Sequence, residues 1–121
     1  MINYFSNDEL RCKCDCQDYF FDEQTKAMLN QLRHELGFPL VISSGYRCEH
    51  YNNQIGATQT HASGQAVDIL IGGESAYKLI HKAIEIGFTG IGISQKGSSR
   101  FIHLDDLEQA KARPRPWIWS Y

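Results

Sequence analysis

The sequence predicts an α+β domain, a small and mostly antiparallel sheet with helices packed on one face. Three observations predict it. Two segments, 22–36 and 75–86, carry apolar residues at helical spacing, and five short runs rich in β-branched or aromatic residues lie between and after them. The two kinds of element alternate irregularly, unlike the regular order of a doubly wound parallel fold. At 121 residues the chain suits one domain over 1–121, with two layers around one core.

The elements follow in order. FSNDEL predicts a short helix with Ser6 as N-cap and Glu9 at the third helical position, packing through Phe5 and Leu10. From Asp22 to Leu36, the residues Thr25, Met28, Leu29, Leu32 and Leu36 recur every three or four positions, and Gly37 stops the helix. PLVIS, opened by Pro39 and bounded by Gly45, reads as a buried strand. The polar run SGYRCEHYNNQIGATQTHASGQ is loop-like, with one short helix near Glu49 to Ile55, and a loop this long in a small domain is more often functional than idle. AVDILI resumes strand character. The helix from Ser75 to Ile86 turns inward through Ala76, Leu79, Ile80, Ala83 and Ile84 and ends at Gly87. TGIGIS and RFIHLD are strands joined by the hairpin loop QKGSS, with Gly97 in the turn. The tail PRPWIWSY supplies an edge strand, where proline is tolerated; Trp117, Trp119 and Tyr121 alternate along it, as packing or as a platform for glycan or peptide.

Composition excludes several classes. The 42% hydrophobic and 21% charged fractions are those of a globular protein, and no apolar run approaches the roughly 18 residues of a membrane span. A formal charge of −2 lacks the positive field of a nucleic-acid binder, Arg113 and Arg115 being the one local concentration of cations. MINYFSNDELRCKC has no basic region followed by an apolar one, so no secretory signal peptide is read. A monomer is expected. Cys12, Cys14 and Cys16 alternate in CKCDC, and Cys48 stands apart. On an extended segment the three share a face, yet residues two apart are poorly placed to bridge each other. Three states stay open: reduced buried thiols, a disulfide from one of the three to Cys48, or a structural zinc site with unusual spacing.

His61 arrives on the polar loop, Asp68 stands inside the apolar strand AVDILI, and His103 interrupts the apolar strand FIHLD. A carboxylate on a half-buried strand needs a partner charge. Two imidazoles and one carboxylate form the three-ligand set of catalytic zinc, with a fourth position open. Taken singly, a strand histidine is more often a satisfied polar residue, and Asp68 has a simpler partner in Arg47.

The run SGYRCEHYNNQIGATQTHASGQAVDI resembles the signature of the zinc D-Ala-D-Ala carboxypeptidase-like family, in the lysostaphin, carboxypeptidase and hedgehog superfamily: SGYR, then H-x-x-G-x-A-x-D, then a later strand histidine. FSNDELRCKCDC and GIGISQKGSSRFIHLDD resemble the opening and closing segments of one branch, so the likeness spans nearly the whole chain. The resemblance implies that His61, Asp68 and His103 hold Zn2+, that Arg47 binds a substrate carboxylate through its planar fork, and that Ser44, with Ser43 and Tyr46, helps orient substrate. The implied activity is hydrolysis of a peptidoglycan stem-peptide bond beside a D-amino acid by a zinc-activated water, as a carboxypeptidase or an endopeptidase. The compact form resembles phage or prophage lysis enzymes, made in the cytoplasm and acting at the bacterial cell wall.

Two positions depart from the pattern: Arg100 stands where relatives carry Glu or Asp three residues before the second histidine, and Gln59 replaces a serine two before the first. Asp105, on the same strand face as His103, is therefore expected either as the catalytic base or as the partner that orients a histidine ligand. His50 and His81 are further acid–base candidates, although His81 and His34 sit in regular helices and read as surface residues. A zinc-containing cell-wall-binding or phage structural module without turnover is the alternative, and Arg100 is what favours it.

Overall fold

A computed structural model describes residues 2–14, 16, 18–48 and 60–121. The short helix expected near Glu49 to Ile55, and His50 with it, lie outside the described residues.

The first helix, α1 (Asn7–Leu10), begins where Ser6 Oγ accepts from the Glu9 N–H and Glu9 Oε1 accepts from the Ser6 N–H, the reciprocal cap expected from the sequence. Such a cap contributes about 1 kcal/mol. In α2 (Glu23–Leu36), Asp22 Oδ2 accepts from the Thr25 N–H at 2.9 Å, and Gly37 closes the helix in the left-handed region at φ 76°. The third helix, α3, runs Gly73–Ile86.

The strands β1 (Val41–Ser44), β2 (Ala66–Leu70), β3 (Gly90–Ser94), β4 (Phe101–Asp105) and β5 (Trp117–Ser120) form one sheet in the order β1-β2-β4-β3-β5. Three pairings are antiparallel and β5 joins β3 in parallel, so the sheet is mixed. The β3–β4 hairpin turns through Gly97 at φ 63°, as expected. PLVIS is a correction. It forms an edge strand rather than a buried one, because only β2 pairs with it, and Val41 is 56% exposed while Leu40 just before it is buried.

Alternation along the strands divides the sheet into two faces. Val67, Ile69, Ile91, Ile102 and Leu104 point to one side and join Leu29, Leu32, Leu79 and Ala83 of α2 and α3 in a single core. Each large side chain buried there contributes about 1.5–3 kcal/mol. On α3 the buried stripe is Ala76, Leu79 and Ala83, while Ile84, expected to face inward, is 59% exposed because it lies one position off that stripe. Among the described residues the helices pack on this face, and polar side chains gather on the other.

Candidate metal centre

The face away from the helices carries a row of residues running straight across all five strands. Cross-strand register aligns Ser44 of β1 with Asp68 of β2, Asp68 with His103 of β4, His103 with Gly92 of β3, and Gly92 with Trp119 of β5. Neighbours in such a row stand about 5 Å apart, within reach of a shared ion. His61 enters from outside the sheet, at the start of a one-turn 3-10 helix (His61–Ser63) just before β2. His61 Nε2 and His103 Nδ1 each lie 3.2 Å from Asp68 Oδ1. The three residues expected as ligands therefore converge, with their donor atoms within 4.8 Å of one another.

The outer nitrogens reveal what the inner ones can do. His61 Nδ1 lies 2.9 Å from the Gly45 carbonyl oxygen, and His103 Nε2 lies 2.8 Å from Asp105 Oδ2. A carbonyl and an ionised carboxylate only accept, so both outer nitrogens carry the hydrogen. In neutral imidazoles the inner nitrogens are then bare. Two lone pairs face a carboxylate oxygen at 3.2 Å, an arrangement that repels unless a cation sits among them or the rings are protonated. The donor set thus fits a divalent metal of the zinc type, bound by His61 Nε2, Asp68 and His103 Nδ1, with each histidine fixed from behind as metal ligands commonly are.

Asp105 is fully buried, and Arg115 grips it through both oxygens, Nε to Oδ1 at 2.9 Å and Nη2 to Oδ2 at 2.8 Å. The Leu107 N–H also donates to it. With both oxygens engaged and no exposure, its surroundings do not suit a base that meets solvent water and do suit the alternative role of orienting His103. Of the two roles expected for Asp105, these contacts favour the one behind His103. Arg115 itself was not foreseen as part of a site. It was legible only as one of two nearby arginines, and the contact that gives it meaning joins residues ten apart.

The glycines of GIGIS explain themselves here. A Cβ at Gly90 would fall inside the contact distance of both Asp105 oxygens, and one at Gly92 would come within 2.6 Å of Trp119 Nε1. Gly90→Ala is therefore expected to push the Asp105 carboxylate off His103 and weaken metal binding by about 10–100-fold, the usual cost of losing a partner behind a ligand. Competition with a chromogenic chelator measures it, and unchanged affinity contradicts the arrangement.

Titration in the metal-free protein follows the same contacts. Burial alone would raise Asp105, but hydrogen bonds from His103 and Arg115 outweigh it and hold the carboxyl at about 2. Burial lowers His103, yet its bonds to Asp105 and Asp68 outweigh that and raise it. For Asp68 too, burial is overcome by the two histidines, and its pKa is lowered. A depressed carboxyl contributes stability above its unfolded value, about 3.9, which is lost as pH falls toward its folded one; a raised histidine contributes below about 6.5 and loses this as pH rises through its folded value. The metal-free protein is therefore expected to be most stable between about pH 4 and 6.5, while metal binding strengthens as His103 loses its proton. Thermal melts of chelator-treated protein across pH check this, and a stability maximum at alkaline pH contradicts it.

The remaining expected residues are also located. Arg47 Nη2 lies 3.5 Å from Asp68 Oδ2, and the two side chains keep 15% and 14% exposure, so they stand at the mouth of the site. Ser44 Oγ is 3.4 Å from His61 Nδ1, a loose contact behind the ligand. Ser43 Oγ donates to the Asp68 carbonyl. Arg100 donates to Gly97 O in the hairpin loop, and His81 pairs on the helix surface with Glu85. The Trp119 ring stands 5.1 Å from that of His103 and stacks under the Arg115 guanidinium at 5.2 Å, which makes it a wall of the site rather than edge packing alone. Among the described residues no helix is long and apolar enough to cross a membrane.

A family model described as Peptidase M15 matches residues 3–105, a span that ends at Asp105 and leaves Arg115 and Trp119 outside it. No curated protein matches the chain.

Proposed function

Since the chain belongs to the peptidase M15 family of zinc metallopeptidases, we propose that it hydrolyses a peptidoglycan stem-peptide bond beside a D-amino acid, at the bacterial cell wall. The observation that carries this reading is the convergence of His61 Nε2, Asp68 Oδ1 and His103 Nδ1, with both outer ring nitrogens held by acceptors. A zinc ion bound there supplies a Lewis acid that polarises a carbonyl and acidifies water. His61 is kept in one tautomer by the Gly45 carbonyl, and His103 by the Asp105–Arg115 pair, so the ligands need no rearrangement. Arg47 is free to exchange its 3.5 Å contact with Asp68 for a substrate carboxylate, which its planar fork can hold through two hydrogen bonds. Trp119 and Tyr121, with ring centroids 6.4 Å apart, offer an apolar wall beside the peptide.

A stem peptide ending in D-Ala-D-Ala, its C-terminal amide and a cross-linked dimer test the reading together. Zinc-loaded protein is expected to release new amino termini from at least one of them, and His61→Ala to release none. If Arg47 binds the terminal carboxylate, Arg47→Ala loses about 1.5–3 kcal/mol of charge-assisted bonding, roughly ten- to a hundredfold in kcat/KM, on the acid and little on the amide. That result identifies a carboxypeptidase, whereas cleavage of the dimer with no dependence on Arg47 identifies an endopeptidase. No release from any of the three rejects the peptidase and favours a wall-binding module, the reading to which Arg100 lends support.

A further inference from the structure

A second group of ligand atoms shares no residue with the centre above. We propose that Cys12, Cys14, Cys16 and Cys48 bind one zinc ion as a closed tetrathiolate site that staples the chain's opening segment to the segment carrying Arg47.

The sulfur geometry carries the argument. Cys12, Cys14 and Cys48 form a nearly equilateral triangle, with Sγ–Sγ separations of 3.4, 3.6 and 3.5 Å, and Cys16 Sγ caps it 3.0 Å from that of Cys14. All four sulfurs lie within 4.8 Å of one another. A tetrahedron with Zn–S bonds of about 2.3 Å has edges of about 3.8 Å, close to the sides of the triangle, and the shorter Cys14–Cys16 separation would widen on binding. A disulfide would instead draw one pair to about 2.05 Å and break the triangle's symmetry. The spacing also leaves room for one ion rather than a multi-iron cluster, whose cysteines bind separate irons.

The backbone is arranged for the same end. The Cys12 N–H donates to Asp18 O at 2.8 Å, which folds the C-x-C-x-C run back on itself, and bends at Lys13 and Cys14 let thiols two residues apart converge. The Tyr46 N–H donates to Leu10 O at 2.8 Å and brings Cys48 alongside. Backbone N–H groups also point at sulfur, Cys48 N–H to Cys12 Sγ at 3.3 Å and Asp18 N–H to Cys16 Sγ at 3.5 Å, the outer contacts that stabilise ligating thiolates. Asp8, Arg11 and Lys13 line the same surface depression as Cys12 and Cys14; Arg11 is paired with Asp8 at 2.6 Å, which leaves Lys13 to offset part of the charge that remains when each thiol gives its proton to solvent. Cys16 is exposed and Cys12 buried, so the site lies at the surface with one edge in the core.

Cobalt substitution separates the two centres, because only thiolate ligation gives an intense near-ultraviolet sulfur-to-cobalt charge-transfer band. The reduced full-length chain loaded with Co2+ is expected to show the band, His61→Ala to keep it, and the double variant Cys14→Ser/Cys48→Ser to lose it. Should that variant fail to fold, a thiol-specific mercurial added to zinc-loaded wild type is expected to release one zinc equivalent as the four thiols react. Absence of the band in reduced wild type, its survival in the folded cysteine variant, or modification of the thiols without zinc release overturns the proposal. None of these readouts involves hydrolysis, so they stand apart from the fate of the peptidase reading.

Discussion

Asp68→Asn is expected to abolish peptide hydrolysis and metal binding at the His61–His103 centre, while leaving the metal-free protein at least as stable as the wild type at a pH above the titration of His103. The two halves of this result have one cause. Asp68 Oδ1 faces two ring nitrogens at 3.2 Å, and the hydrogens of both rings are committed to Gly45 and Asp105. With metal absent and the rings neutral, three acceptors crowd one another; an asparagine amide can donate to the bare nitrogens and relieve the conflict. With metal present, the same change removes the only negative ligand, and the loss should exceed the roughly 10–100-fold that follows from losing a partner behind a ligand. Metal titration and thermal melts with and without chelator read both. A variant that keeps the metal, or one whose metal-free form is clearly less stable, would show that the carboxylate is there for another reason.

Arg115→Ala is expected to be the most destabilising single change around the site. Asp105 is fully buried and the Arg115 side chain is 6% exposed, so removing the guanidinium leaves a buried carboxylate facing only His103 and the Leu107 amide. Breaking a buried pair from one side costs about 3–5 kcal/mol, which for a domain of this size lowers Tm by on the order of 10–20 °C. Metal affinity should fall as well, because His103 loses the partner that fixes its tautomer. Calorimetry on zinc-loaded and chelated protein checks both; a Tm within a few degrees of wild type would mean that the pair contributes little. Asp105→Asn/Arg115→Met, which removes both charges, should recover much of the stability without restoring the metal affinity.

The three residues that converge at the candidate metal centre were visible from the sequence for a plain reason. A charged or imidazole side chain inside an apolar strand is out of place, and Asp68 in AVDILI and His103 in FIHLD each announced a partner. The helices were visible because caps and periodicity are local: Ser6 with Glu9, and Gly37 at the end of α2, act within one turn of their own positions. PLVIS was misread as buried because apolar residues that cover a sheet edge look the same, one residue at a time, as those inside it. GIGIS read only as a strand; its glycines acquired a reason once Asp105 and Trp119 were seen lying across them.

What the sequence determined by itself was therefore the class of fold, the helix ends at Leu36 and Ile86, and the residue types able to hold a metal, since each depends on neighbours a few positions away or on chemistry carried by one side chain; the start of α3 at Gly73, two residues before the expected Ser75, was not among them. Tertiary structure decided the rest. The row Ser44–Asp68–His103–Gly92–Trp119, the clamp of Arg115 on Asp105, and the triangle of Cys12, Cys14 and Cys48 are set by strand register and chain crossing, and join residues as much as 36 positions apart. Register depends on the whole core packing at once, because shifting one strand by a single residue would turn that strand's member of the row to the opposite face.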